Sequence, residues 1–256
     1  MAHHAAPVDD LQQTLLGAWE RLHGASDVAR PLGLLQAVWP QDDPALWRQA
    51  SLGQRDACLF RLQASLFGAQ LETVAACPAC GTRLESRFDV DEVCAAPVQP
   101  PLPPSPLELQ HGHYRVRYRL PCSDDLERLS GDGDDRDDAE RGVAELLRNC
   151  VLDAEHDGRP LAPSQWPPTL VECLDEAMAL QDPLADLQLD VACPDCGHRW
   201  SASLDIARYL WDELDDWAQD LLAEVDVLAR HYAWSEHEIL SLTPVRRRFY
   251  LDLVRA

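Results

Sequence analysis

Long apolar runs and basic side chains are both scarce in this sequence. No stretch of about 18 apolar residues occurs, so a membrane-spanning helix is not expected. The N-terminal residues form neither a basic start nor an apolar run, which argues against a secretion signal. We therefore expect a cytoplasmic protein with no membrane role. Because cysteines stay reduced in that compartment, paired cysteines indicate metal ligands rather than disulfides.

The charge of the chain is strongly one-sided. Lys and Arg together number 22 against 44 Asp and Glu, which gives a formal net charge of −22. A chain of this charge repels the phosphate backbone of nucleic acids unless its few basic residues cluster. We expect no nucleic-acid partner, and the charge suits solubility or a basic partner protein.

Two short segments, residues 71–90 and 187–206, share one design. Each has a predicted strand that enters a Cys-Pro-x-Cys-Gly turn and an alternating strand that leaves it. A Cys-x-x-Cys turn lets two thiolates reach one ion, and the following Gly accepts backbone angles that strain other residues. The predicted metal ligands are the four cysteines of these turns: Cys77, Cys80, Cys193 and Cys196.

Four thiolates around one ion are typical of a structural Zn²⁺ site, which is closed to water and supports folding rather than hydrolysis. The two turns lie roughly 110 residues apart, so the hairpins must meet in space with an insertion looped out between them. A redox-active Cys-x-x-Cys would need a helix start in a βαβ setting, whereas both turns here resemble hairpins. An iron–sulfur cluster stays open as an alternative, because four thiolates also bind iron.

Five further cysteines receive no predicted role. Cys58, Cys150 and Cys173 fall on predicted helices as small buried groups, and Cys94 and Cys122 are expected to be partly exposed. An odd total of nine cysteines also argues against a simple disulfide framework.

The rest of the chain predicts mostly helix. Its strongest pattern is a series of apolar residues spaced by three and four from Ile206 to Tyr232, as in a helix packed lengthwise on another. Ser235 and Glu238 then form a capping-box pattern, and Pro244 can start the last helix. The predicted fold class is α+β, mainly helical, with four-cysteine zinc-ribbon hairpins, an inserted subdomain, and flanking N- and C-terminal helices.

This interpretation divides the chain into five parts. They are an N-terminal helical segment (1–70), a first zinc-knuckle hairpin (71–95), an inserted α/β subdomain with a Pro-rich linker (96–186), a second zinc-knuckle hairpin (187–205) and a C-terminal helical segment (206–256). Within the inserted subdomain, a helix is predicted from residue 139 to about 152.

Sequence patterns of common catalytic sites are missing from this chain. It has no GxSxG, HExxH or GxxxxGK[ST] pattern and no Gly-rich dinucleotide turn. We therefore expect no catalytic residues, no small-molecule substrate and no enzymatic activity.

Three stretches, residues 51–93, 114–129 and 221–254, resemble the T4-type phage baseplate protein family of contractile phage tails and phage-tail-like injection systems. The most specific parts are the run from Gly-Gln-Arg-Asp to CPACG and the segment HYAWSEHEIL with the arginines that follow it. With the helices between them, the resemblance covers about two thirds of the chain.

The resemblance implies an assembly factor or minor component of a baseplate, with baseplate or hub proteins as partners. It suggests candidate partner contacts in the third stretch: Tyr232, Trp234, Glu238, Arg246, Arg247, Arg248 and Tyr250. An alternative is that Trp234 and Tyr250 are core residues that hold the last helices. The metal site is indicated by the cysteine spacing and not by the resemblance.

A second hypothesis of a different class is a zinc-ribbon regulator that binds nucleic acid. It requires a basic surface built from five arginines on predicted strands, which are Arg83, Arg87, Arg115, Arg117 and Arg119. Binding of this kind weakens steeply with salt.

Overall fold

The computed structural model describes residues 8–94, 105–129 and 136–255. Most of the predicted Pro-rich linker therefore lies outside the described residues. The fold is α+β with helix as the larger share, as the sequence predicts. None of the helices in the described residues combines the length and the hydrophobicity that a transmembrane span requires.

Eleven helices and eight strands make up the described part of the chain. The helices are α1 (Val8–Leu22), α2 (Ala29–Val38), α3 (Pro44–Gln49), α4 (Leu52–Leu66), α5 (Val90–Val93), α6 (Ser123–Leu129), α7 (Arg136–Cys150), α8 (Pro168–Gln181), α9 (Ile206–Tyr232), α10 (Glu236–Leu240) and α11 (Pro244–Arg255). The strands are β1 (Gln70–Ala76), β2 (Arg83–Asp89), β3 (Leu107–His111), β4 (Tyr114–Tyr118), β5 (Val151–His156), β6 (Arg159–Pro160), β7 (Leu187–Ala192) and β8 (Arg199–Leu204). Within the described residues, a 3₁₀ turn also covers Pro163–Gln165.

The chain forms two compact units. The first consists of Met1–Asp42 and Ala207–Ala256, and the second is the continuous stretch Asp43–Ile206. The first unit thus combines helices from both ends of the sequence, and the second contains both cysteine hairpins and the insertion between them. The five-part division remains a prediction.

Helix α9 dominates the first unit. Its bounds coincide with the ends of the predicted apolar series, and Leu210, Leu214 and Leu228 on that series are at most 1% exposed. The apolar stripe of the helix is therefore buried along its length, which is the main source of stability for a helix in water. Ser235 and Glu238 form the predicted capping box at the start of α10.

The two hairpins of the second unit have matching registers. Strands β1 and β2 pair antiparallel from Gln70 opposite Asp89 to Ala76 opposite Arg83. Strands β7 and β8 pair in the same way from Leu187 opposite Leu204 to Ala192 opposite Arg199. In both hairpins the half-buried side chains alternate with exposed ones, so each presents one apolar face.

The insertion folds around its own antiparallel sheet, in the order β3-β4-β5-β6. A buried apolar cluster joins this sheet to α7 and α8: Val116, Tyr118, Leu147, Cys150, Ala154, Leu170, Leu174 and Met178. The helix predicted up to about residue 152 ends earlier, because Val151 begins a strand that pairs with Tyr118 of β4. Pairing with a distant strand overrides the local helical pattern at this point.

Candidate metal centre

The first cysteine turn closes the β1–β2 hairpin with two backbone hydrogen bonds. The Cys77 N–H donates to the Thr82 carbonyl at 2.9 Å, and the Gly81 N–H donates to the Cys77 carbonyl at 2.8 Å. Gly81 has φ +76°, a left-handed conformation that a side chain disfavours. The Gly after the second Cys of the turn is therefore needed for the backbone angle, as the sequence predicts.

The second turn repeats this geometry in the β7–β8 hairpin. The Cys193 N–H donates to the His198 carbonyl at 2.8 Å, and the Gly197 N–H donates to the Cys193 carbonyl at 2.9 Å. Gly197 has φ +71°. The two turns therefore present their cysteines in the same way.

The four thiols of these turns converge on one point. Cys77 Sγ lies 3.7 Å from Cys196 Sγ, and Cys80 Sγ lies 3.6 Å from Cys193 Sγ, so both close pairs link one hairpin to the other. All four sulfur atoms lie within 4.8 Å of one another. Within the described residues this is the only group of three or more Cys, His, Asp or Glu side chains with that spacing.

Burial divides the four cysteines into two kinds. Cys77 and Cys193, the first cysteine of each turn, are buried, and Cys80 and Cys196 are exposed. Hydrogen bonds with the Thr82 side chain, the Thr82 backbone and the Cys196 thiol lower the pKa of Cys80 to about 6. The His198 backbone N–H favours a Cys196 thiolate, but the hydrogen bonds with Cys80 and the other cysteines outweigh it and raise the pKa of Cys196 to about 12. Because thiolates at this spacing repel one another, the four cysteines do not all lose their protons unless a cation binds among them.

A hydrogen bond outside the sulfur cluster also joins the two turns. Thr82 Oγ1 donates to Asp195 Oδ2 at 2.8 Å and lies 3.3 Å from Cys80 Sγ. Thr82 therefore touches both a sulfur of its own turn and the opposite turn. Contacts of this kind orient ligand side chains and support a metal site.

The other five cysteines lie apart from this cluster. Cys58 and Cys150 are buried, as expected, and Cys173 is half-buried beside His111, with 3.3 Å between Sγ and Nδ1. Cys94 and Cys122 are 4% and 8% exposed, so the expectation that they are partly exposed is wrong. Arg61 and Arg119 contact the loops that carry them and help to cover them.

The aromatic residues among the candidate partner contacts form a cluster of their own in the first unit. Tyr232 stacks on Trp234 with ring centroids 4.6 Å apart, and Tyr250 meets Trp234 edge-on at 5.0 Å. All three pack against a buried group that includes Leu228 and Leu251. The cluster thus holds α11 against the end of α9. This agrees with the alternative that Trp234 and Tyr250 are core residues.

The charged candidates for partner contact have different positions. Arg247 is 5% exposed, and its guanidinium donates to Glu224 Oε2 at 2.8 Å and to Gln12 Oε1 at 3.3 Å. It therefore stabilises the first unit itself. Arg246 and Arg248 are exposed, and Glu238 completes the cap of α10. A role of these residues in partner contact stays a prediction.

Four of the five arginines that a nucleic-acid surface would need are paired with carboxylates. The four ion pairs are Arg87 with Glu72, Arg115 with Glu108, Arg117 with Asp153, and Arg119 with Asp125. A guanidinium that already faces a carboxylate attracts a phosphate less strongly. These side chains therefore give no support to the nucleic-acid hypothesis.

No protein-family model matches the chain, and no match was found among curated proteins or solved structures. The assignment of a function therefore depends on the residues and the geometry described above.

Proposed function

We propose that this chain is a non-catalytic, zinc-stabilised assembly factor or minor structural component of the baseplate of a contractile tail or phage-tail-like injection system. It acts by protein–protein contacts with baseplate or hub proteins in the cytoplasm. The resemblance of three sequence stretches to the baseplate family supports the setting. The observation that supports a structural role for the metal site is the convergence of four thiols, two from each hairpin.

Zinc is the metal that we propose for this site, and the spacing of the sulfur atoms fits a single tetrahedral ion. Thiolates bind Zn²⁺ at about 2.3 Å, so four of them in a tetrahedron lie about 3.8 Å apart. The two measured Sγ–Sγ distances are 3.6 and 3.7 Å. A cluster of several iron atoms would hold its ligand sulfurs farther apart than a single ion does. The spacing therefore supports one ion in a zinc-ribbon arrangement, and four protein ligands leave no position for a catalytic water.

Metal analysis tests the zinc part of the proposal. The untagged protein is purified and its metals are measured by elemental mass spectrometry, beside a Cys77→Ser/Cys193→Ser variant. We expect about one zinc per chain in the natural protein, and loss of that zinc in the variant together with a lower melting temperature. A matched control, Cys173→Ser, keeps both. Iron in place of zinc, or full stability without metal, contradicts the assignment.

Co-purification tests the baseplate part. The chain is isolated from cells that express the complete gene cluster around it, and the proteins retained with it are identified by mass spectrometry. We expect baseplate or hub proteins at a fixed ratio to the chain. Recovery of the chain without any structural tail protein overturns the baseplate assignment and leaves the metal site unaffected.

A further inference from the structure

The C-terminal helix α11 exposes a line of large apolar side chains. Val245, Phe249 and Leu253 are 81%, 61% and 53% exposed. They are spaced by four residues, so they lie on one side of the helix, one above the other. We call these three residues the outer stripe. It extends over about 12 Å, at about 1.5 Å per residue.

The opposite side of the same helix is its core side. Arg247 and Leu251 are buried there, and Tyr250 and Val254 pack against the neighbouring apolar cluster. Helix α11 is therefore apolar on two opposite sides, although the first unit covers only one of them. A surface helix of a globular protein normally has a polar outer side, and a helix that is apolar all round is normally buried.

Positive charge flanks the outer stripe. Arg246 and Arg248 are exposed on either side of it, and Arg255 is exposed at its end. Arg248 pairs with Asp252 at 3.5 Å, whereas no carboxylate of the described residues pairs with the Arg246 guanidinium. An apolar stripe with arginines beside it complements an apolar surface with carboxylates beside it.

We propose that the outer stripe is the docking site for an amphipathic helix of a partner protein, whose apolar face is flanked by Asp and Glu. This proposal rests on the proposed function and gives the partner surface of that function. Three apolar side chains at one-turn intervals match the way a helix packs along another helix. A second copy of this chain fits less well, because α11 against α11 brings the exposed arginines beside the two stripes together.

The test uses two designed peptides of about 20 residues, long enough to form a helix. Both carry the same leucine stripe, flanked by Glu in one and by Arg in the other. Binding to the full-length protein is measured by fluorescence anisotropy at low and at physiological salt. We expect the acidic peptide to bind at least tenfold more tightly than the basic one, and more weakly as salt is added.

Variants assign the binding to the outer stripe. Phe249→Glu should weaken binding of the acidic peptide at least tenfold, because it places a carboxylate within the apolar contact. The matched control is Leu180→Glu on α8, where a leucine that is 81% exposed lies in the second unit, and it should leave binding unchanged. The double variant Arg246→Glu/Arg248→Glu should reverse the preference so that the basic peptide binds better.

Three results overturn this proposal: no binding of the acidic peptide, equal binding of both peptides, or equal weakening by Phe249→Glu and Leu180→Glu. A dimer in light scattering that Phe249→Glu converts to a monomer would show that a second copy occupies the stripe instead. The peptide assay contains no tail protein, so its failure is distinct from a failure of the co-purification experiment. Circular dichroism of each variant verifies that the fold is retained.

Discussion

At the scale of single residues, the run Gly53–Asp56, one of the most specific parts of the family resemblance, has a structural role. The Gly53 N–H donates to Asp182 Oδ2 at 2.9 Å, and a Cβ at position 53 would lie 2.2 Å from Asp182 Oδ1. Ser51 Oγ donates to the same carboxylate at 3.0 Å. Only Gly lets the start of α4 approach Asp182 this closely. The run therefore marks a site of tight packing within the second unit.

Asp56 in this run is a buried carboxylate with a pH-dependent effect on stability. It accepts a hydrogen bond from Arg55 Nε at 2.7 Å, and both side chains are at most 10% exposed. Burial raises the pKa of Asp56 to about 6, and this effect is larger than the opposing effect of Arg55. The unfolded chain titrates near the ordinary value of 3.8. The folded protein therefore binds more protons than the unfolded chain between about pH 4 and pH 6.

We predict that the free energy of unfolding contributed by Asp56 falls as pH rises through this window, by up to about 3 kcal/mol in total. Urea unfolding of the natural protein and of Asp56→Asn is measured from pH 4 to pH 8. The difference in unfolding free energy, natural minus variant, should decrease between pH 4 and pH 6 and stay constant above pH 7. The pH dependence of the metal site is common to both proteins and cancels. A difference that does not change with pH contradicts the raised pKa.

Asp125 is a buried acid that sequence patterns did not single out. It accepts two hydrogen bonds from Arg119, at 2.6 and 2.7 Å, one from Arg128 at 2.9 Å, and one from the Cys122 N–H at 3.0 Å. The sequence predicted Arg119 as part of a strand that could present basic side chains. The pairing of Arg119 with Asp125 depends on how the strand end meets α6, which periodicity does not reveal. Such a fully bonded carboxylate fixes the local geometry.

At the scale of secondary-structure elements, the glycines of the two cysteine turns are the most sensitive positions. We predict that Gly197→Ala destabilises the second unit by about 1–2 kcal/mol and increases the rate at which metal is lost to a chelator, because a side chain disfavours a left-handed backbone. Gly158→Ala is the matched control. Its φ of +73° is nearly the same as the +71° of Gly197, but it lies in the β5–β6 turn away from the cysteines.

Thermal unfolding and the release of metal to a colorimetric chelator measure the two effects. Both variants should lose similar stability, and only Gly197→Ala should release metal faster. Equal release rates in the two variants would show that the backbone angle of the turn does not position the thiols.

The sequence predicted best the helices whose apolar pattern repeats over many turns. The pattern from Ile206 to Tyr232 identified α9 to its ends, because 27 residues give the period many repeats. Short strands were predicted less well. The first two residues of β5, Val151 and Leu152, were predicted as the end of α7, because Val151 also fits the apolar side of that helix and only pairing with β4 distinguishes the two structures.

At the scale of the whole molecule, the four cysteines could be predicted as one cluster although the two turns are far apart in sequence. Cys80 and Cys193 are 113 residues apart, and the only signal was that their turns share the same residues. The outer stripe of α11 could not be predicted, because the sequence does not reveal which side of an amphipathic helix the rest of the fold covers. Arg247 illustrates this limit, since it is buried between two exposed arginines.

We predict that removal of the metal loosens the hairpins before other parts of the second unit. Chelator-treated and untreated protein are compared by hydrogen exchange. Amides of β1, β2, β7 and β8 should lose protection first, because each hairpin has only two strands and the cluster joins them. Amides of β4 and β5, which lie inside the four-stranded sheet, serve as the internal control. Simultaneous loss in both sheets would contradict a local role for the metal.

The cluster also changes how the chain would respond to a pulling force. Tension applied at the two ends would pass from one cysteine turn to the other through the sulfur atoms and the bound ion. Cys80 and Cys193 are 113 residues apart, and the chain between them would then bear no load. Fully extended, that part of the chain would span roughly 380 Å at about 3.4 Å per residue. In optical tweezers, none of that length should appear before a first step in which the metal–sulfur bonds break. The insertion would unfold only after that step, however weak its own sheet is.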